Sequence, residues 1–178
     1  MHRRAFLILT SLLLMAPVAV AAQAEPVVVY VIRHAERADD GPNSGFMGDA
    51  SDPPLSESGR ARARLIAEML GDAGVTQVHS TDYVRTRSTG EPTAEAARLE
   101  IESYDPGDLP AFAARLRTLP GRHLVLGHSN TTLQLIEALG GDPGTAIEAM
   151  EYDRFYIVTI ASGTVSTLLL RFGELFGG

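Results

Sequence analysis

Four short segments of the chain carry side chains suited to chemistry on an anionic centre. Arg33-His34-Ala35-Glu36 follows the β-branched run VVVYVIR, Asp82 and Arg85 follow a second apolar run, Asp105 a third, and His128 the run LVLG. A neutral imidazole attacks phosphorus and carries the phosphoryl group on nitrogen. That step needs cations, because the transferred group keeps its charge on three equatorial oxygens. Arginine suits the task, since its fork donates two parallel hydrogen bonds to phosphate. A second histidine can donate to a non-bridging oxygen, and a carboxylic acid can protonate the departing alkoxide. Each of these residues alone also fits an ordinary structural role. Their common arrival after successive apolar runs is harder to explain that way.

The same letters admit other chemistries. Gly127-His128-Ser129-Asn130-Thr131 has the outline of a strand-turn-helix elbow presenting a nucleophilic Ser129. In that arrangement an acid and then a histidine follow the serine along the chain. Acids follow, but His128 is the last histidine, and β-branched Thr131 replaces the closing glycine. A metal site built on His34 and His128 lacks a compact ligand spacing such as H-E-x-x-H, and the arginines would repel a cation. A non-catalytic module binding a phosphorylated or anionic ligand would keep the arginines and need no acid.

The elements that must position these residues are legible from periodicity and punctuation. Strands are predicted over 27–33, 75–80, 99–104, 123–127, 155–160 and 164–171, the last two forming a hairpin at Ser162-Gly163. Helices are predicted over 58–70, capped by Ser56 or Ser58, over 85–97 with an interruption near Pro92, over 109–119 and over 130–139. Residues 38–54 are rich in Asp, Gly, Pro, Asn and Ser and read as a long loop, which with 140–153 would frame a pocket mouth. Such alternation implies an α/β fold: a three-layer α/β/α sandwich with a mostly parallel central sheet. Ligands of such sheets gather at the carboxyl ends of the strands, where all four segments arrive.

Composition limits the remaining options. The 178 residues carry a formal charge of −7 with no basic run outside the first residues, so the footprint of a nucleic-acid binder is missing. There is no cysteine, which excludes disulfides and a thiolate nucleophile. Residues 1–24 have the pattern of a signal peptide: basic His2-Arg3-Arg4, an apolar stretch to Val20, and small-x-small sites ending at Ala22 or Ala24. The expected product is one exported, periplasmic or secreted domain over 25–178, with no stable membrane association after cleavage.

At this point the segments resemble the histidine phosphatase superfamily, the phosphoglycerate mutase-like fold. Arg33-His34-Ala35-Glu36 resembles its R-H-G/A-E signature. Residues 80–89, STDYVRTRST, resemble its second block, and Val125-Leu126-Gly127-His128-Ser129 its third, with Asp52-Pro53-Pro54-Leu55-Ser56-x-x-Gly59 leading into the first helix. The resemblance implies that His34 becomes phosphohistidine, that Arg33 and Arg85 clamp the phosphoryl oxygens, and that His128 completes the phosphate pocket. It implies a small phosphorylated substrate, no metal and no organic cofactor, and a helix-ordering role for Thr89. Where mutases of the family carry threonine and asparagine three and six residues after the nucleophile, this chain has Arg37 and Asp40. The likeness is therefore to the compact R-H-A-E phosphatases, including those acting on phosphohistidine. The family's glutamate, carried on a helical insertion, has no counterpart in the short stretch from Glu91 to Pro110. Asp105 is the expected proton donor, with Asp82 and Glu36 as alternatives, although Asp105-Pro106-Gly107 is also a turn signal.

Overall fold

The computed structural model describes residues 25–41 and 44–177; the leader expected over 1–24 lies outside the described residues. Val27–Arg33 forms strand β1, followed by helix α1 (Glu57–Leu70), β2 (Gln77–Ser80), α2 (Val84–Ala97), β3 (Ile101–Ser103), α3 (Leu109–Thr118), β4 (Gly121–Gly127), α4 (Ser129–Ala138), β5 (Arg154–Ala161) and β6 (Thr164–Arg171). The strands lie side by side in the order β3-β2-β4-β1-β5-β6. The pairs β1–β4, β2–β4 and β2–β3 are parallel, and β5 runs antiparallel to both of its neighbours. Only β5 therefore opposes the rest, and the sheet is mixed but mostly parallel.

β1 reads as an apolar run because both of its faces are covered. Val29 and Val31 pack with Phe112 and Leu116 of α3 and Leu135 and Ile136 of α4. Tyr30 and Ile32 face the other way, onto Ile66 and Leu70 of α1 and Ala94 of α2. This is the expected α/β/α sandwich. The chain leaves β1 toward the α1 face and leaves β4 toward the α4 face, which opens a crevice at the carboxyl ends of two adjacent parallel strands.

Two local devices bring the next elements close. Ser56, not Ser58, caps α1, its hydroxyl accepting from Gly59 N at 3.0 Å. Gly59 sits so near β1 that a Cβ there would lie 2.1 Å from the Glu36 carbonyl oxygen. Helix α2 runs unbroken through Pro92, contrary to the interruption expected from its sequence. Proline removes one N–H from the helix ladder, but the buried face of Thr89, Gly90, Thr93 and Ala94 continues across it. That packing against the sheet holds both halves in line. The hairpin between β5 and β6 turns at Ser162 and Gly163, both with positive φ (50° and 79°), as a two-residue turn of this kind requires.

Candidate active site

Register places the two histidines. Arg33 of β1 pairs with Gly127 of β4, so His34 and His128 each follow the last paired residue of neighbouring parallel strands. His34 N donates to Gly127 O at 2.8 Å and fixes that alignment beyond the strand ends. The imidazoles meet edge to face, with centroids 5.4 Å apart. His34 is buried. Its Nδ1 lies 2.8 Å from the Ala35 carbonyl oxygen, to which only an N–H can donate, so Nε2 holds the lone pair. Burial first, then the charges of Arg33, His128 and Arg85, push the His34 imidazole down to about 3 against the pull of that hydrogen bond. Burial and the two arginines likewise push His128 down to about 4, with Asp52 acting in the opposite sense. Both rings are neutral near pH 7.

An arginine and a tyrosine flank each ring. Arg33 lies over the Tyr152 ring at 4.1 Å, and that ring is 5.9 Å from His34. Arg85 lies over the Tyr83 ring at 4.3 Å, and that ring is 5.1 Å from His128. Arg33 Nη1 donates to the carbonyls of Glu148 and Glu151, while Tyr152 donates its hydroxyl to Asp40 at 2.7 Å. The segments 38–54 and 140–153 thus reach the site as expected of a pocket mouth. Thr89 carries the positioning of Arg85: its hydroxyl accepts from Ala35 N at 3.0 Å and donates to Arg85 O at 2.7 Å, tying α2 to the end of β1. Of the buried side-chain polar atoms without a partner among the described residues, three belong to this cluster: Arg33 Nε, Arg85 Nε and His128 Nε2. Buried donors left unpaired cost free energy. The two arginine N–H groups, with the His128 ring nitrogen beside them, suit an anionic ligand next to His34.

The carboxylates are distributed differently from the sequence expectation. Asp105 is exposed, and its carboxylate accepts from Gly107 N at 2.7 Å, closing its own Asp-Pro-Gly turn. Pro106 and Gly107 line a cavity of about 320 Å³ with Tyr83, Arg85 and His128, whereas Asp105 itself lines the adjoining depression beside Asp82. Asp82 accepts from Ser103 and lies 3.8 Å from Arg87, and Glu36 is held by Arg62 at 2.7 Å under α1. The acid that touches the arginine clamp is one the sequence did not single out. Asp52 accepts from Arg85 Nη1 at 3.2 Å and from Val84 N at 3.0 Å. None of Tyr83, Tyr152, Asp40 and Asp52 was given a role in the site from the sequence, although Tyr83 and Asp52 fall within the motifs quoted above and Asp40 and Tyr152 within the segments expected at the mouth.

The remaining candidates fall outside this cluster. Ser129 opens α4, and among the described residues no histidine is hydrogen-bonded to its hydroxyl. His79 and His123 form a stacked pair inside the sheet, with Nε2 of one 3.3 Å from Nδ1 of the other. Arg37 pairs with Asp39. Among the described residues no three His, Asp or Glu side chains form a metal-holding group. A larger depression, about 770 Å³ between α1 and α2, is lined by Arg60, Arg64 and Glu91 and contains none of the candidate residues, so size alone misplaces the site.

Comparison with known proteins agrees with the fold. Residues 29–106 match the family model described as the histidine phosphatase superfamily (branch 1). A probable phosphoglycerate mutase, GpmB, of Serratia proteamaculans is 36% identical over 73 residues, which make up 41% of this chain and 33% of that protein. The matched stretch thus spans about a third of that relative's length. The protein histidine phosphatase SixA complexed with tungstate has the same fold, with a TM-score of 0.64, 22% identity, and coverage of 81% of this chain and 96% of that one. Phosphoglycerate mutase from Bacillus anthracis str. Sterne superposes with a TM-score of 0.58 at 16% identity, over 85% of this chain and 95% of that one. The family match covers β1 from Val29, the lead-in to α1 and the second block, and the likeness of the remaining chain is one of fold. On these grounds the chain is similar to the histidine phosphatase superfamily over residues 29–106 and shares the fold of these solved structures.

Proposed function

We propose that the protein is a phosphatase that hydrolyses phosphomonoesters, or phosphohistidine, through a covalent phosphohistidine on His34. The observation that carries the reading is the divided imidazole of His34, with Nδ1 committed to the Ala35 carbonyl and Nε2 left as a neutral nucleophile beside Arg33 Nε, Arg85 Nε and His128 Nε2. Attack forms the Nε2–P bond as the P–O bond to the leaving group breaks, and water then reverses the exchange to release inorganic phosphate. The arginines supply the positive charge that the equatorial oxygens need, so the step calls for no metal and no organic cofactor. The leader read over 1–24 supports an exported enzyme that meets its small phosphorylated substrate outside the cytoplasm.

The test uses purified protein, a chromogenic aryl phosphate and a chelator. Turnover should persist with the chelator and fall by at least about 10³-fold in His34→Ala. Quenching the wild type with labelled substrate should yield an acid-labile, base-stable phosphoprotein. Turnover that survives His34→Ala sinks the mechanism. Phosphate binding without turnover of any ester would instead support a binding module, and activity lost only in Ser129→Ala would support an esterase.

A further inference from the structure

The structure assigns the proton transfer with the leaving group to Asp52, a residue of the loop before α1, in place of Asp105; this inference rests on the phosphatase reading above. Asp52 is the carboxylate in direct contact with the phosphate clamp. It accepts from Arg85 Nη1 at 3.2 Å and, through both oxygens, from Val84 N at 3.0 Å. Its side chain is 30% exposed, so it stands at the mouth of the site and not beneath it. Its charge is felt at His128, where it opposes the influence of the arginines. Every other carboxylate considered for the role has its own partner: Asp105 binds Gly107 N, Asp82 binds Ser103, and Glu36 binds Arg62.

A bound substrate changes the present contacts of Asp52. A phosphate ester must draw the hydrogen bonds of Arg85 to its own oxygens. Asp52 then loses its cation and gains a like charge beside it, and both changes favour the carboxylic acid, the form able to donate. In the first step the P–O bond to the leaving group breaks as His34 Nε2 bonds to phosphorus, and the Asp52 proton passes to the leaving oxygen. In the second, Asp52 takes a proton from water as the water oxygen bonds to phosphorus and the N–P bond breaks, which restores both residues.

General-acid catalysis matters most for a poor leaving group, and that dependence is the readout. Asp52→Asn keeps an oxygen to accept from Val84 N and is expected to fold. It should lower kcat on an alkyl phosphate about 10²–10³-fold while lowering kcat on 4-nitrophenyl phosphate by less than about 10-fold. The first-step rate should consequently depend more steeply on leaving-group basicity than in the wild type. Asp105→Asn, measured in parallel, should show no such steepening. An equal loss on both esters, a gain on both, which would mean that the carboxylate merely occupies Arg85, or the steepening appearing in Asp105→Asn would each overturn the assignment. If Asp52→Asn fails to fold, Asp52→Glu serves, with an altered pH profile for the alkyl ester expected and an unchanged one overturning it. A wild type that turns over neither ester removes the phosphatase reading and this inference with it, whereas a wild type active on both isolates the question to Asp52.

Discussion

The role proposed for His34 rests on a single hydrogen bond and on burial. With Nδ1 donating to the Ala35 carbonyl and the ring pushed down to about 3, the nucleophile titrates well below the range of an ordinary imidazole. The sign follows directly: protonation would remove the lone pair, and it occurs only as pH falls through the lowered value, so from pH 7 down to mildly acid conditions His34 stays neutral. Arg33, Arg85, His128 and Tyr152 surround it. Initial rates on 4-nitrophenyl phosphate, whose leaving group needs little help from an acid, taken directly after a pH jump and corrected for ionisation of the substrate phosphate near pH 6, should therefore vary less than about threefold between about pH 7.5 and 5.5. A fall of about tenfold centred near pH 6.5 would show a nucleophile with an unshifted imidazole. Arg33, His34, Arg85 and His128 were legible because each ends a strand or starts the helix after one, where sequence distance to the sheet is one or a few residues. Asp52 and Tyr152 were not. Their positions depend on how loops fold back over the sheet, which no periodicity encodes.

The elements act as levers whose pivots are small residues. Gly59 lets α1 approach the end of β1, and Ser56 N donates to the same Glu36 carbonyl oxygen at 3.0 Å, so the lead-in to α1 and the first residues after β1 are clasped together. Leu55 bridges Arg37 across the same junction. A methyl group at Gly59 meets backbone, not the end of a flexible side chain, and the clasp must open to admit it. Gly59→Ala should cost roughly 2–4 kcal/mol of unfolding free energy, as expected when overpacking combines with a backbone shift. The same shift reaches Asp52, seven residues earlier, so kcat/KM should fall as well. Urea unfolding and steady-state kinetics check both, and a stability within about 0.5 kcal/mol of wild type would show that the clasp is loose. The sequence exposed this junction only as a spacing, the glycine three residues after Ser56. Its cause, a carbonyl from the other side of a long loop, is visible only in the fold. The Pro92 misreading has the same origin, because local rules stop a helix at proline and tertiary packing of α2 on the sheet overrides them.

Across the whole molecule, one composition choice links the site to global stability: the fold buries its histidines uncharged. Burial is the main cause in each case, pushing His34 down to about 3 and His79 and His128 down to about 4, and His123 moves the same way. For a histidine depressed in the folded state the unfolded chain binds the proton first. Stability is therefore fully present above the unfolded value near 6.5 and is lost as pH falls from there toward the folded values of 3 to 4. Lowering the pH from about 7.5 to 5.5 costs about 1.4 kcal/mol for each such histidine, hence about 4 kcal/mol for three, a large share of the 5–15 kcal/mol typical of a domain. The carboxylates do not offset this in that window. Glu151, whose burial penalty is outweighed by hydrogen bonds from Arg154, Glu148 N and Arg171, is held near 2 and loses its contribution only below its unfolded value near 4.5. Acid sensitivity should therefore set in above pH 5, before the carboxylates titrate. Urea midpoints should fall steadily from about pH 7.5 to 5.5 with an unchanged m-value, and inorganic phosphate should recover part of the loss by binding the folded site. His79→Gln, away from the site, removes one titrating group and should lower the steepness of that fall by about one proton. A midpoint flat over this range would mean that the histidines charge inside the fold, and neutral His34 would then need another explanation.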